Sequence, residues 1–362
     1  MLGFVALCTA GLEQAPCTEL KRLGYKIQKT TSGHIHFRAE LRDTAILNMK
    51  LKSADRILIH VGSFEARSFN QLYDGTFSLN WKELISKRAN LKVHKVKIRN
   101  SNLSATGAVA SVVKKAIYTK ISPETSDQQK IEYPIHIYIK NNIVSLMIDT
   151  TGKYALSRRG YRTKTSRAPL RETIAAALII VSHWKNETLL IDPFCGSGTV
   201  PIEAALIASD ALSVKRTFVS QNWPILQREW KHVAKELSGH QIDRIVAIGY
   251  DKDCSVIKTA RENARRAEVS KNILFECRRF EELQPLKDHV HVVTNPPFGV
   301  RLDEGDAKFY RSLSKIFTTF PKANVCVITP RPNFEKLLKH RAKRKFRFQN
   351  SGLWTWCYIF KE

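Results

Sequence analysis

The seven cysteines of this 362-residue chain, at positions 8, 17, 195, 254, 277, 326 and 357, are odd in number and never fall in a CxxC spacing. That pattern excludes the usual thiolate zinc modules and speaks against a disulfide framework; it predicts a reducing, cytoplasmic setting and no metal site. No apolar run approaches the roughly 18 residues needed to cross a bilayer. The opening MLGFVALCTAGLE has no basic stretch and meets Glu13, so neither a signal peptide nor a membrane partner is expected. Internal repeats and low-complexity tracts are also missing. Acidic residues are scarce: 33 Asp and Glu stand against 59 Lys and Arg, a formal charge of +26.

Such an excess repels itself unless a polyanion is the partner. It is spread along the chain, because residues 1–165 carry 27 basic and 12 acidic side chains and the remainder 32 and 21. Both halves are therefore expected to face nucleic acid. The length allows two or three units that each bury a core.

The chain has two textures. From about Thr188, the short apolar runs TLLID, RIVAIGY, NILFEC, VHVVT and NVCVITP alternate with helical patterns, which predicts an α/β unit with a parallel sheet covered on both faces. KFRFQ and WTWCYIF, separated by a turn at 350–352, predict a closing antiparallel hairpin. The first half reads instead as α+β. HIHF and IHIYIKNNIVSLMI alternate with period two, Asn141-Asn142 marks a hairpin turn, and helices are expected near PCTELKRLG and AVASVVKKAIYTKI. ISPETSDQQKIEYP reads as a polar loop.

LLIDPFCGSGT places Asp192 at a strand end and Gly196, Ser197 and Gly198 in the turn to a helix, where a doubly wound sheet binds its ligand. It is neither a GxGxxG fingerprint nor a P-loop, since the lysine is missing and Pro201 follows. Asp251, at the tip of the next strand, is placed to accept ribose hydroxyls, while Asp253 suits a helix N-cap. VHVVTNPPFG then sets a rigid turn at a third tip. Pro296 and Pro297 remove two donors and fix φ, Asn295 adds a side-chain acceptor, and Phe298 offers a stacking face. Two converging acceptors beside an aromatic fit the exocyclic amine of an unstacked nucleobase. Cys195 reads as a small packed residue beside the turn, and His289 and His291 as surface residues near a strand start.

DPFCGSGTVPIEAA followed by NPPFG resembles the class I S-adenosylmethionine-dependent methyltransferases of the amino-methylating group. RRGYRTKTSRAPLRETIAAALI resembles the joint that precedes the catalytic unit in RNA guanine-N2 methyltransferases carrying a THUMP domain, and FVSQNWP is similar to their insertion after the first helix. CTAGLEQAPCTELKRLGY resembles the family's ferredoxin-like start, and YDGTFSLNW with SVVKKAI its THUMP domain. The resemblance implies a ferredoxin-like unit at 1–65, a THUMP unit at 66–152, a basic linker at 153–170 and a Rossmann-like methyltransferase at 171–362. It implies S-adenosylmethionine as cofactor, held by Pro169, Leu170, Asp192, Cys195, Gly196, Ser197, Gly198, Thr199 and Asp251, and a target base held by Asn295, Pro296, Pro297 and Phe298. Arg158, Arg159, Tyr161, Arg162 and Lys164 are expected to meet RNA, ribosomal or transfer. Arg278 or Arg279 stands where the family has an acid near the adenine, with Glu281 as substitute; Phe298 replaces a common Tyr. The implied reaction is methylation of guanosine N2. Adenine N6 methylation and a non-catalytic RNA-binding role remain alternatives, as do a monomer and a homodimer.

Overall fold

The computed structural model describes residues 1–124, 130–162, 170–211, 216–236, 241–286, 288–297, 309–350 and 352–361. The expected site residues Lys164, Pro169 and Phe298 lie outside them. The first half comprises β1 (Leu2–Leu7), α1 (Gln14–Arg22), β2 (Ile27–Thr31), β3 (His34–Ala39), α2 (Thr44–Lys50), β4 (Arg56–Glu65), α3 (Phe69–Ser78), β5 (Ala89–Arg99), α4 (Thr106–Ile121), β6 (Ile131–Lys140) and β7 (Ile143–Asp149). These strands form one seven-stranded sheet in the order β2-β3-β1-β4-β7-β6-β5. Because β4 bonds to β1 on one side and to β7 on the other, the units expected at 1–65 and 66–152 share this sheet.

Period-two alternation decides what each face does. Phe4 and Ala6 of β1, Ile35 and Phe37 of β3, and Ile57 and Ile59 of β4 are buried against Leu20, Leu47, Leu72 and Val113 from the four helices. On the opposite face Val5, Leu58 and Met147 form a small cluster that no helix residue joins among the described residues. The hairpin read at Asn141-Asn142 is β6–β7; both asparagines have positive φ, 52° and 62°, as a type I′ turn requires. Ile131–Pro134 of the expected polar loop belong to β6, a correction: the period-two run starts before the histidines that made it visible.

The second half comprises α5 (Glu172–Val181), β8 (Leu189–Asp192), α6 (Thr199–Ala208), α7 (Gln227–Glu236), β9 (Ala247–Asp251), α8 (Cys254–Arg266), β10 (Ile273–Cys277), β11 (Val290–Thr294), β12 (Asn324–Thr329), β13 (Arg344–Asn350) and β14 (Leu353–Phe360). Its sheet runs β10-β9-β8-β11-β12-β14-β13, parallel as far as β12 and closed by the antiparallel hairpin. This is the Rossmann-like order. The direction of winding reverses between β8 and β11, which opens a crevice outside their carboxyl ends. No helix among the described residues is long and apolar enough to cross a membrane.

The two halves are locked together. Phe218, Trp223 and Trp230, from the segment after α6, are buried in the core of the first half, where Trp223 stacks on Tyr133 at 4.7 Å. Arg159 and Glu203 form an ion pair with both side chains at 0 % exposure; Arg159 Nη2 also donates to the Lys52 carbonyl at 2.5 Å, and Tyr161 Oη donates to Glu203 at 3.0 Å. This corrects the expectation that Arg159 and Tyr161 meet RNA: both are buried, whereas Arg158 is exposed. Two further corrections follow from packing. Cys254 and Cys277 are bonded, because the start of α8 folds back on the end of β10, neighbours in space that a CxxC rule does not detect. His291 is 2 % exposed with Nε2 3.0 Å from Ser182 Oγ, since β11 is central and covered on both faces; His289 is exposed.

Candidate active site

Three strand tips meet at the crevice. β8 ends in Asp192, whose Oδ1 accepts from the Phe194 amide at 3.1 Å and from Thr294 Oγ1 at 2.6 Å, tying the tip of β8 to the end of β11. Asp192 is 2 % exposed and has no ion pair among the described residues, and burial pushes its carboxyl up to about 7. Asp251, at the tip of β9, accepts from the Gly196 amide at 3.0 Å through Oδ2 and from the Asp253 amide at 3.0 Å through Oδ1. Asp253 caps α8, accepting from Ser255 N at 2.8 Å.

The turn between Asp192 and α6 needs its glycines for different reasons. At Gly196, φ is +51° and an added Cβ would meet nothing within 4 Å, so the space beside it belongs to the crevice. At Gly198, φ is +84° and a Cβ would lie 2.9 Å from the Phe275 ring and 3.0 Å from Ala260, so this glycine permits helix packing. Asn263 Nδ2 donates to the Ser197 carbonyl at 3.0 Å and holds the turn from below. Burial raises the Cys195 thiol well above its ordinary value, which keeps it protonated and un-nucleophilic.

These residues enclose a cavity of about 330 Å³ whose walls include Leu170, Asp192, Gly196, Ser197, Thr199 and Asp251. Cys195, Asn295 and Pro297 line it as well. Arg162 ties two of the lining residues together, donating through Nη2 to Thr199 Oγ1 at 2.7 Å and to the Leu170 carbonyl, with Glu172 3.4 Å from its Nε. After β10, Arg279 and Glu281 line the cavity, while Arg278 pairs with Glu276 at 3.1 Å. Sequence reasoning missed the aromatic wall. Phe280 packs on Phe194 with ring centroids 5.2 Å apart, and Phe309 on Phe194 at 5.9 Å; Phe194 was visible inside the DPFCGSG motif, but the family pattern points after β10 to an acid and not to a ring.

Asn295 is the outstanding feature of the mouth. Its Oδ1 is buried and has no hydrogen-bond partner among the described residues, and the next two members of the turn it begins are prolines and cannot donate. An orphaned buried acceptor costs about 1–3 kcal/mol, which a ligand N–H can recover.

Three domain families match in order along the chain: an RlmL ferredoxin-like domain over residues 3–58, a THUMP domain over 66–149 and an RMKL-like methyltransferase domain over 159–355. The chain belongs to the RMKL-like methyltransferases. A Bacillus subtilis relative, "Putative RNA methyltransferase YpsC", is 29 % identical over 368 residues, covering 98 % of this chain and 95 % of that protein. The structure of SMU.472 complexed with SAH matches this RMKL-like methyltransferase with a TM-score of 0.89 at 30 % identity, covering 99 % of this chain and 97 % of that one. A "predicted N6-adenine-specific DNA methylase" from Listeria monocytogenes matches with a TM-score of 0.88 at 32 % identity, covering 99 % and 96 %.

The family's cofactor is S-adenosylmethionine, and the residues present fit it. Asp251 offers carboxylate oxygens at the second strand tip, the open side of Gly196 admits close approach of a ligand, Phe280 offers an apolar wall, and Asp192 is a buried acid without a cation among the described residues. When bound, the cofactor supplies a methyl group on a sulfonium centre, whose positive charge suits the two carboxylates.

Proposed function

We propose that this RMKL-like methyltransferase acts on RNA and methylates the exocyclic N2 amine of a guanosine in a structured ribosomal or transfer RNA. The observation that carries the reading is the buried Asn295 Oδ1, without a partner among the described residues, in the lining of the cavity. An exocyclic amine donates through two N–H groups, one to this oxygen and one to the Pro296 carbonyl, so its lone pair is drawn out of conjugation and turned toward the methyl group. With the cofactor bound, its sulfonium methyl group would be the electrophile this lone pair meets, the thioether would be the leaving group, and the surplus N–H proton would pass to solvent. Orientation and electrostatics suffice, and no strong base is required. A THUMP domain, the +26 charge and the name of the Bacillus relative support RNA; the joint at 158–179 and the FVSQNWP segment resemble guanine-N2 enzymes.

Adenine N6 is the second reading, favoured by the name of the Listeria relative and equally compatible with two acceptors. The deciding experiment is transfer of labelled methyl to unmodified total RNA, followed by digestion to nucleosides and mass spectrometry. Label in N2-methylguanosine is expected. Label in N6-methyladenosine moves the target to the second reading, and no label in RNA, with cofactor binding intact by calorimetry, leaves a binding protein without this activity.

A further inference from the structure

A second cleft, of about 850 Å³, lies away from the strand tips, between the open face of the first sheet and the β13–β14 hairpin. One strand explains its chemistry. In the first part of β5 the odd-numbered Ala89 and Leu91 face the core. Between Val93, opposite Ile135, and Lys95, opposite His136, the register shifts by one residue, so His94 is the bulge. A one-residue slip exchanges the faces. Beyond it Val96 and Ile98 face the core, and Lys95, Lys97 and Arg99 turn onto the open face beside His136 and Tyr138.

The charged lining is mostly cationic, Arg56, Lys95, Lys97, Arg99 and Arg171 against Asp55. No ion pair involves Lys95, Lys97 or Arg99 among the described residues, and burial together with the nearby charges of Lys97 and Arg56 holds Lys95 below its ordinary value. His136 is 3 % exposed, its Nδ1 has no hydrogen-bond partner among the described residues, and its Nε2 lies 3.4 Å from Asp149 Oδ2 without hydrogen-bond alignment. A metal ion does not suit the His94, His136 and Asp149 cluster, since Arg56 already sits 2.5 Å from Asp149 Oδ2 and the Thr151 and Gly152 amides occupy Oδ1. Across the cleft Trp354 of the catalytic half is 49 % exposed, with the Arg347 guanidinium over its ring at 4.5 Å.

We propose that this cleft seats an unpaired segment of the RNA, with Lys95, Lys97 and Arg99 on its phosphates and Trp354 under one of its bases. The inference rests on the RNA reading above and adds where the strand runs. A bulge that turns alternate cations onto one side gives a row of charges with the period of the strand, and the facing ring supplies the stacking surface that sequence-tolerant single-strand sites use. Because Trp354 belongs to the methyltransferase half, a strand held here is gripped by both halves at once.

The test uses the full chain and a fluorescent oligouridylate, read by anisotropy across a salt series. Lys95→Gln/Lys97→Gln/Arg99→Gln should bind at least about tenfold more weakly, and the slope of log affinity against log salt should shrink by about 2, near 0.7 for each phosphate no longer neutralised. Trp354→Ala should weaken binding by about fivefold or more with the slope unchanged. A charge-matched control, Lys21→Gln/Lys115→Gln/Lys258→Gln, changes exposed lysines elsewhere and should weaken it far less. Equal effects of the two triple variants, or an unchanged slope in the first, overturn the cleft. Unchanged cofactor affinity by calorimetry shows that the variants are folded. A wild-type chain that neither binds the oligomer nor methylates RNA defeats the RNA reading itself; wild-type activity with an indifferent cleft variant defeats only this proposal.

Discussion

The two seven-stranded sheets use their strands in opposite ways. The second is covered on both faces: Leu190, Ile191 and Val292 are at most 1 % exposed, so no side chain along the middle of β8 or β11 can reach solvent and the proposed chemistry is confined to the tips, at Asp192, Asp251 and Asn295. The first is covered on one face. Its other face carries Arg56, His136, Lys95 and Lys97 along the lengths of its strands. Double coverage concentrates function into a few residues adjacent in the sequence to strand ends, while single coverage spreads it over a surface drawn from several strands.

The joint between the sheets offers the largest effect. Arg159→Met leaves Glu203 buried without its cation and should cost about 3–5 kcal/mol in urea unfolding, whereas Arg159→Met/Glu203→Leu should recover most of that stability. A double variant as unstable as the single one would mean that packing of the long side chain, not the stranded charge, holds the joint. Next, Asn295→Ala should lower kcat by at least about a hundredfold, on the scale of one oriented transition-state partner, while cofactor affinity stays within about twofold. It should also leave oligouridylate binding untouched. A matching drop in RNA affinity would show that tips and face are not separate functions.

What could be read in advance follows the same division. The strands of the second sheet with their closing hairpin, the candidate site at the strand tips and the Gly-rich turn are local signals, since each needs only a short run and the residues after it. Asn141-Asn142 announced the β6–β7 hairpin for a similar reason: the two-residue turn carries its own chemistry. The open face was not legible, because β5 alternates as an ordinary strand on either side of His94 and only its pairing with β6 reveals the slip. The basic joint misled for a related reason. Arg158, Arg159 and Arg162 look alike in sequence, yet Glu203, 44 residues beyond Arg159, takes one of them into the core. The Cys254–Cys277 bond, with 23 residues of separation, is likewise formed between elements.

The finest distinction concerns the charge at the β8 tip, and pH separates it from the turn proposed to hold the base. Burial raises the Asp192 carboxyl from the ordinary carboxylate range to about 7, so the folded chain holds this proton more tightly than the unfolded one. Stability of the free protein is therefore lost as pH rises from about 4 through about 7, because the native state binds more protons over that window. A cationic ligand reverses this by favouring the carboxylate. Cofactor affinity should accordingly strengthen by up to about tenfold per unit from about pH 6 and level off above about pH 8, and the thermal shift it confers should widen over the same range. Asp192→Asn should flatten the dependence; a profile that persists in this variant belongs to another group, such as the amine of the cofactor. The smallest effect is expected from Thr294→Val, which deletes the 2.6 Å hydrogen bond that favours the ionised form. Its midpoint should move to higher pH by about one unit or less with the limiting affinity unchanged, since the deleted bond acts on the proton and not on the cofactor. A shift in the limiting affinity alone would place Thr294 on the cofactor instead.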